Sequence, residues 1–210
     1  MSSAKKVVPS IPDTRAEILA AALAILRDEG HASLTVRHVA ARAGCSTIGL
    51  YTWFGGKDGL VDAILLDGFR RFADALARAR PRKSPLGTLL GQAVAYRRWA
   101  LENRTSYEVM FMGAVPGHVA GDEIQLVGLL AYDLLRNEVV AAQERGLIHE
   151  DDADSVAMAM WGLAHGLVSL EIASAEPKGL STRRSFHQRS FEVALTALEQ
   201  GLLAKAPKRR

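Results

Sequence analysis

Apolar residues recur along most of the chain at every third or fourth position, the spacing of one face of an α-helix. The clearest case precedes Gly30, where four residues repeat in this way: Ile18, Ala22, Ile25 and Leu26. Gly30 then supplies a helix stop. We find no alternating apolar and polar runs bounded by hairpin turns, which would indicate strands. The pattern therefore predicts an all-α fold.

Capping residues and breaks set the bounds of the predicted helices. Thr14 and Glu17 form a capping-box pattern, and Thr35 and Ser46 are N-cap residues for two short helices. The segment 80–85, with two prolines and no apolar residue, is the clearest break. After the first helix, which ends at Gly30, the predicted helices cover residues 36–43, 47–54, 58–79, 86–104, 106–112, 124–145, 153–174 and 185–203. Residues up to 10 and from 205 onward are expected to be disordered.

Composition narrows the class of protein. The chain has 210 residues, half of them hydrophobic, which suits one domain or two small ones. The single Cys45 excludes an intramolecular disulfide and fits a reducing compartment. No signal peptide is visible, and the richest apolar stretch, 156–173, is interrupted by glycines and charges, so a cytoplasmic protein is expected. A net charge of +3 permits nucleic-acid binding without indicating it.

A short stretch of the sequence, 44–60, is poor core material. Its predicted helix, 47–54, carries small or polar residues on its outer side, while Leu50 and Phe54 can turn inward. Two short helices joined by a turn at Gly44 and braced by a preceding helix describe a helix-turn-helix, whose second helix enters the DNA major groove. A helical hairpin within a bundle is the alternative for this local pattern alone.

The wider spacing resembles the tetracycline-repressor (TetR) family of bacterial transcription regulators. The matching landmarks are LTVRHVA at 34–40, AGCS at 43–46, LYTWF at 50–54, and then Lys57 and Leu60. Cys45, Trp53 and the pair Gly55-Gly56 depart from the family pattern. These departures leave the fold prediction intact, but they prevent the transfer of a DNA sequence preference from the family.

The resemblance implies a DNA-binding site on these two helices. Tyr51 and Lys57 match its phosphate-contacting positions, and Lys57 opens a helix whose free amides favour phosphate. Arg37 could reach a phosphate or a base edge, and Ile48 a thymine methyl group. The DNA-binding residues predicted in full are Thr35, Arg37, Ser46, Thr47, Ile48, Gly49, Tyr51, Thr52 and Lys57.

The rest of the chain carries WGLAHGL at 161–167, which resembles the W-x-x-x-H-G signature of one C-terminal subclass of the family. The resemblance implies a helix-turn-helix DNA-binding domain at 1–57, ordered from about residue 11, and a helical domain at 58–210 that binds an effector and dimerises. Its two last helices should form a two-fold interface. The interface residues predicted are Leu163, Leu167, Leu170, Phe191, Leu195 and Leu198.

A cluster of aromatic and methionine residues suits an adaptable apolar ligand pocket. For each residue alone, core packing is the more frequent role, and His165 in particular can be a hydrogen-bonded core histidine instead of a ligand anchor. The pocket residues predicted are Tyr96, Trp99, Tyr107, Met110, Phe111, Leu130, Leu134, Met158, Trp161 and His165. No metal site is expected, because no second ligand stands at the right spacing from His165.

These observations predict a homodimeric regulator that binds double-stranded operator DNA and is released by a small apolar or aromatic effector. It should need no cofactor. The alternatives are a sequence-independent DNA-binding protein, an activator, or a regulator controlled by a protein partner. An enzyme using Cys45 with His38 is disfavoured, because Cys45 fills a turn position and no phosphate loop or carboxylate pair accompanies it.

Overall fold

The computed structural model describes residues 14–173 and 184–203. Within these ranges the chain forms nine α-helices, a 3-10 turn at His31–Ser33 and one isolated bridge. The helices are α1 (Thr14–Glu29), α2 (Val36–Ala43), α3 (Thr47–Phe54), α4 (Lys57–Ala77), α5 (Gly87–Glu102), α6 (Arg104–Phe111), α7 (Asp122–Glu144), α8 (Ala153–Ala173) and α9 (Arg184–Leu202). The all-α prediction is confirmed.

The observed helix bounds lie within two residues of the predicted ones, α1 to α3 included. Gly30 and Gly44 end α1 and α2 with positive φ angles of 79° and 68°, as their positions in the sequence predicted. The break at 80–85 separates α4 from α5. The side chain of Thr14, the terminal segments 1–10 and 205–210, and the break at 177–179 lie outside the described residues.

The first hydrophobic core joins α1, α2 and α3 to the N-terminal half of α4. We call these elements the head. Its buried centre includes Ile18, Val39, Leu50 and Val61, and it extends into later parts of the chain through Val109 of α6 and Ile124 of α7. The domain boundary predicted between residues 57 and 58 stays a prediction, because packing is continuous across that point.

The second core joins the C-terminal half of α4 to α5–α9, which we call the C-terminal domain. Phe72 of α4 lies at its centre, fully buried, and contacts the rings of Tyr96, Trp99, Phe111 and Trp161 at centroid distances of 4.9–6.0 Å. One continuous helix, α4, therefore contributes to both cores and connects the head to the C-terminal domain.

Helix α8 is more apolar than the sequence pattern suggested. By length and mean hydropathy, 1.4 over an 18-residue window, it could cross a membrane, contrary to the expectation that no segment would reach that limit. Core helices of globular proteins meet the same criterion. In the described structure α8 packs against α5, α7 and α9, as such a core helix does.

Candidate nucleic-acid interface and ligand-binding domain

Each of the two short helices, α2 and α3, begins at a side-chain cap. The hydroxyl of Thr35 accepts from the amide of His38 at 3.2 Å and caps α2. The hydroxyl of Ser46 accepts from the amide of Gly49 at 3.0 Å and caps α3. These bonds satisfy amides that a helix start leaves unpaired, so they fix where each short helix begins. Thr35 and Ser46 are therefore structural caps first.

Helix α3 has one buried and one exposed face. Leu50 is fully buried in the head core, whereas Ile48 is 77% and Tyr51 is 56% exposed. Thr47 and Thr52 are also exposed, although the Thr52 hydroxyl donates to the carbonyl of Ile48 at 2.9 Å. An apolar side chain as exposed as Ile48 suits a helix that meets a partner, and small neighbours allow close approach to base edges.

Two basic side chains beside this face are free to meet phosphate. Arg37 on α2 and Lys57 on α4 are exposed and form no ion pair with any side chain in the described part of the chain. Arg42, by contrast, binds Asp28 and Glu29 of α1 at 2.8 and 2.9 Å. Arg42 thus braces α2 against α1 and is not available to DNA.

The N-terminus of α4 lies close behind α3. Gly56 caps α4 without a side chain, at φ 137°, so the first amides of the helix have no side-chain partner. The ring of Tyr51 covers Gly56. A Cβ on Gly59 would overlap the carbonyl oxygen of Phe54, so glycine is required for α3 and α4 to approach. Lys57 and these amides together form a phosphate-binding arrangement.

Sequence reasoning missed one exposed residue on α3. Trp53 is 54% exposed, and its indole N–H is a hydrogen-bond donor. Its departure from the family pattern was the signal that could have drawn attention to it. A tryptophan this exposed, on the helix that carries Thr47 and Ile48, is a candidate DNA contact.

Four of the ten predicted ligand-pocket residues line one of two spaces. The first, which we call the central crevice, is lined by Tyr96 and Trp161 with Leu76, Leu135 and others; it encloses about 380 Å³ including its open mouth, of which only about 20 Å³ admits a water. The second, the α4–α6–α7 cleft, is lined by Met110 and Phe111; it encloses about 940 Å³ including open solvent, of which about 410 Å³ admits a water.

A buried hydrogen-bond network joins three of the predicted pocket residues. One of them, Tyr96, lines the central crevice, and the other two, Tyr107 and His165, line neither space. The hydroxyls of Tyr96 and Tyr107 lie 3.0 and 2.9 Å from Nδ1 of His165, and Tyr107 also lies 3.3 Å from the Ser169 hydroxyl. Burial raises the pKa of both tyrosines and lowers the pKa of His165. The network is neutral, and this geometry is that of a satisfied core histidine.

The remaining predicted pocket residues have other places in the fold. Trp99 is buried in the C-terminal core and Leu134 packs against it. Leu130 and Met158 line neither space and are 47% and 56% exposed, so their role in ligand binding stays a prediction. Helical spacing places both residues on the outer sides of α7 and α8, where no other described helix covers them.

The predicted dimer interface is corrected in part. Phe191 and Leu195 of α9 are only 4% exposed and belong to the chain's own core, and Leu198 lines the central crevice. The outward apolar residues of α9 are instead Phe186 and Val193. On α8, Leu170 is 62% exposed, while Leu163 and Leu167 are half-buried. The described α8 and α9 therefore carry exposed apolar residues, but Phe191 and Leu195 are covered by the chain's own core.

Two polar features of the C-terminal domain were missed because long-range packing creates them. Gln92 of α5 lines the central crevice and is 7% exposed, and its Oε1 has no hydrogen-bond partner among the described residues. Arg97 of α5 forms a two-pronged ion pair with Glu171 of α8 at 2.6 and 2.8 Å, with side chains 16% and 10% exposed. Nothing in the sequence pairs these positions.

Comparison with known proteins places both halves of the chain. Residues 18–64 match the family of bacterial regulatory proteins named after tetR. Residues 89–198, just over half of the chain, match the tetracyclin repressor-like C-terminal domain. The first match covers most of the head, and the second contains the hydrogen-bond network, all of the crevice lining except Leu76, and most of the cleft lining.

Relatives and solved structures agree with these matches. The HTH-type transcriptional regulator Rv1816 of Mycobacterium tuberculosis is 25% identical over 70% of this chain and 75% of its own length. A protein of unknown function from Rhodococcus sp. RHA1 covers 96% of this chain and all of its own, with a TM-score of 0.79 and 25% identity. A tetR-family regulatory protein from Rhodococcus RHA1 covers 92% and 99%, with a TM-score of 0.69 and 23% identity, which shows the shared fold. Because the family models match both halves of the chain, the second over more than half of its length, the chain belongs to the TetR family of transcription regulators and is not an enzyme.

Proposed function

We propose that this regulator is a repressor that binds a specific operator as a homodimer and is released by a small apolar or aromatic effector. The single observation that carries the DNA-binding part is the outward face of α3, where Ile48 is 77% exposed beside Thr47 and Thr52 while Leu50 is fully buried. Such a regulator acts in the cytoplasm, where the chromosome lies.

The base-reading contacts come from Thr47, Ile48 and Gly49, with Arg37 at the side. None of the three α3 residues can form the two-pronged purine contacts of arginine or asparagine. We therefore expect specificity to come from Arg37, from apolar contact of Ile48 with thymine methyl groups, and from DNA shape. Tyr51 and Lys57 set the register through phosphates.

Homodimerisation is supported by the outer face of α8 and α9. Leu170, Met158, Phe186 and Val193 are all more than half exposed. Gly162 and Gly166 have no atom within 4 Å of a Cβ added to them, so a second helix can approach closely there. A two-fold copy of the chain would cover this apolar surface and would present two heads to successive major grooves.

Effector control is supported by two spaces that border α4. The central crevice has Leu76 of α4 in its wall, and the wall of the α4–α6–α7 cleft includes Val61 and Leu65, which also belong to the head core. His118, on the segment before α7, lies 2.8 Å from Asp62 of α4. A ligand in the C-terminal domain that favours one tilt of α4 changes the distance between the heads.

Fluorescence anisotropy at about 150 mM salt tests the proposal. Duplex from the region upstream of the regulator's own gene is compared with scrambled duplex of equal length. Preference for the native duplex by on the order of 10³ or more supports a sequence-specific regulator. Equal, weak binding to every duplex, including those enriched by selection from random sequence, would show sequence-independent binding instead.

A further inference from the structure

The central crevice contains a buried polar atom that no described residue satisfies. Gln92 is 7% exposed, and its Oε1 is buried without a hydrogen-bond partner in residues 14–173 and 184–203. Buried polar side chains in folded proteins nearly always have a partner, because an unpaired one gives up its hydration for nothing. An exception facing a crevice indicates a partner that arrives from outside the chain.

The surroundings of Gln92 limit what that partner is. The crevice is lined by eleven residues from five helices, and none of them carries a charge. Tyr96, the other lining residue with a side-chain oxygen, already bonds to Tyr107 and His165. A carboxylate or an ammonium group would therefore lose its hydration there without an opposite charge to replace it.

A water molecule is a poor explanation for the free acceptor. About 20 Å³ of the crevice admits a water, which is room for about one. A buried water needs two to four polar partners, and apolar cavities stay dry. Among the lining residues only Gln92 and Tyr96 carry a side-chain oxygen, and Tyr96 is already bonded, so a group that brings its own apolar body fits this lining better than water does.

We propose that the central crevice binds a neutral alcohol or phenol, with the ligand hydroxyl donating to Gln92 Oε1 and the apolar body against Trp161 and Met160. This rests on the effector part of the proposed function and names the chemical class of the effector. The ligand enters by widening the crevice from its open mouth. Met160 has a flexible side chain, and Leu198 on α9 is only half-buried, so both can move aside.

Isothermal titration calorimetry with 4-butylphenol and 4-butylanisole tests this. The two probes share an apolar body, but the anisole has no hydroxyl to donate. We expect the native protein to bind the phenol on the order of tenfold more tightly, the effect of one buried hydrogen bond. In Gln92→Leu the ratio should fall to about one while the anisole still binds, because the crevice remains and only the acceptor is gone.

A matched variant controls for the other space. Gln125 lines the α4–α6–α7 cleft and donates to the carbonyl of Ala120 at 3.2 Å. Gln125→Leu should keep the native preference for the phenol. Loss of the preference in Gln125→Leu, its survival in Gln92→Leu, or failure of both probes to bind the native protein would each overturn the proposal.

The stability of Gln92→Leu gives a readout that needs no ligand. Replacing an unsatisfied amide by an isosteric apolar side chain should leave the melting temperature unchanged or raise it. A clear fall would mean that Gln92 has a structural partner and would contradict the proposal. Phenol binding that depends on Gln92 but does not release operator DNA would uphold the site and refute its role in effector control. Specific DNA binding without phenol binding would refute the site and leave the DNA-binding part of the proposed function standing.

Discussion

The candidate functional residues are exposed in the head and buried in the C-terminal domain. In the head, Ile48 and Tyr51 project into solvent from a helix held by Leu50 and Phe54. In the C-terminal domain, Gln92 and the Tyr96–Tyr107–His165 network are buried between helices. The surface proposed to read DNA is therefore set by local structure, and the interior proposed to bind a ligand is set by packing.

The largest effect should come from the exposed face of α3. Ile48→Asp removes an apolar base contact and brings a negative charge to the phosphates, which should cost about 2 kcal/mol per half-site, or roughly a thousandfold in a dimer. Because Ile48 is 77% exposed, the melting temperature should hardly change. Anisotropy with operator duplex and thermal unfolding measure the two quantities.

Its control is the neighbouring buried residue. Leu50→Ala should lower the free energy of unfolding by about 3 kcal/mol, because it leaves a cavity in the head core. Equal losses of stability in both variants would show that α3 has no separate reading face, and the contrast between the regions would fail.

The second prediction concerns the interior of the C-terminal domain. Glu171→Gln leaves the largely buried guanidinium of Arg97 without its charge partner, which should cost about 3 kcal/mol of stability. Glu108→Gln breaks an exposed pair with Arg104 and should cost less than about 0.5 kcal/mol. Denaturant unfolding at one protein concentration compares them. Similar costs would mean that Arg97 finds another partner when Glu171 is lost.

The third prediction concerns the positive charge of Lys57 in the head. Lys57→Ala should weaken binding to all duplexes by a similar factor, because a phosphate contact reads no sequence. The slope of log K against log salt should become less steep by about 0.9 per subunit. Lys83→Ala changes the same charge in the exposed segment between α4 and α5 and should leave the slope unchanged. A sequence-dependent loss at Lys57 would instead make it a base contact.

The difference between the regions also explains what the sequence could predict. The caps Thr35 and Ser46 and the turn at Gly44 act on neighbours within four residues, so a local pattern was enough to place α2 and α3. The exposure of Leu130 and Met158 could not be predicted, because helical spacing indicates which residues share a face and not which neighbour covers that face.

Long-range contacts were beyond the same reasoning. The partners Arg97 and Glu171 are 74 positions apart, and Gln92 faces Leu195 of α9 across the crevice. A glutamine on an apolar helix gives no local sign that its amide is unsatisfied. His165 lay between these cases: its motif was visible, but its hydrogen bonds to two tyrosines required the assembled core.

The smallest effect should be a pH dependence that arises in the interior and not in the head. Burial lowers the pKa of His165 below its value in the unfolded chain, so the unfolded state binds the proton first as pH falls. Stability from this group is complete above the unfolded pKa, about 6.5, and declines as pH falls from there toward the lower folded value. Thermal unfolding between pH 7.5 and 5.5 should show the decline, and His165→Gln should reduce its slope even if it lowers stability overall. His118 and its contact with Asp62 are present in both proteins, so their contribution cancels in the difference. An unchanged slope in the variant would mean that the network accepts a proton as readily as water does, and the neutral-core description of His165 would have to be given up.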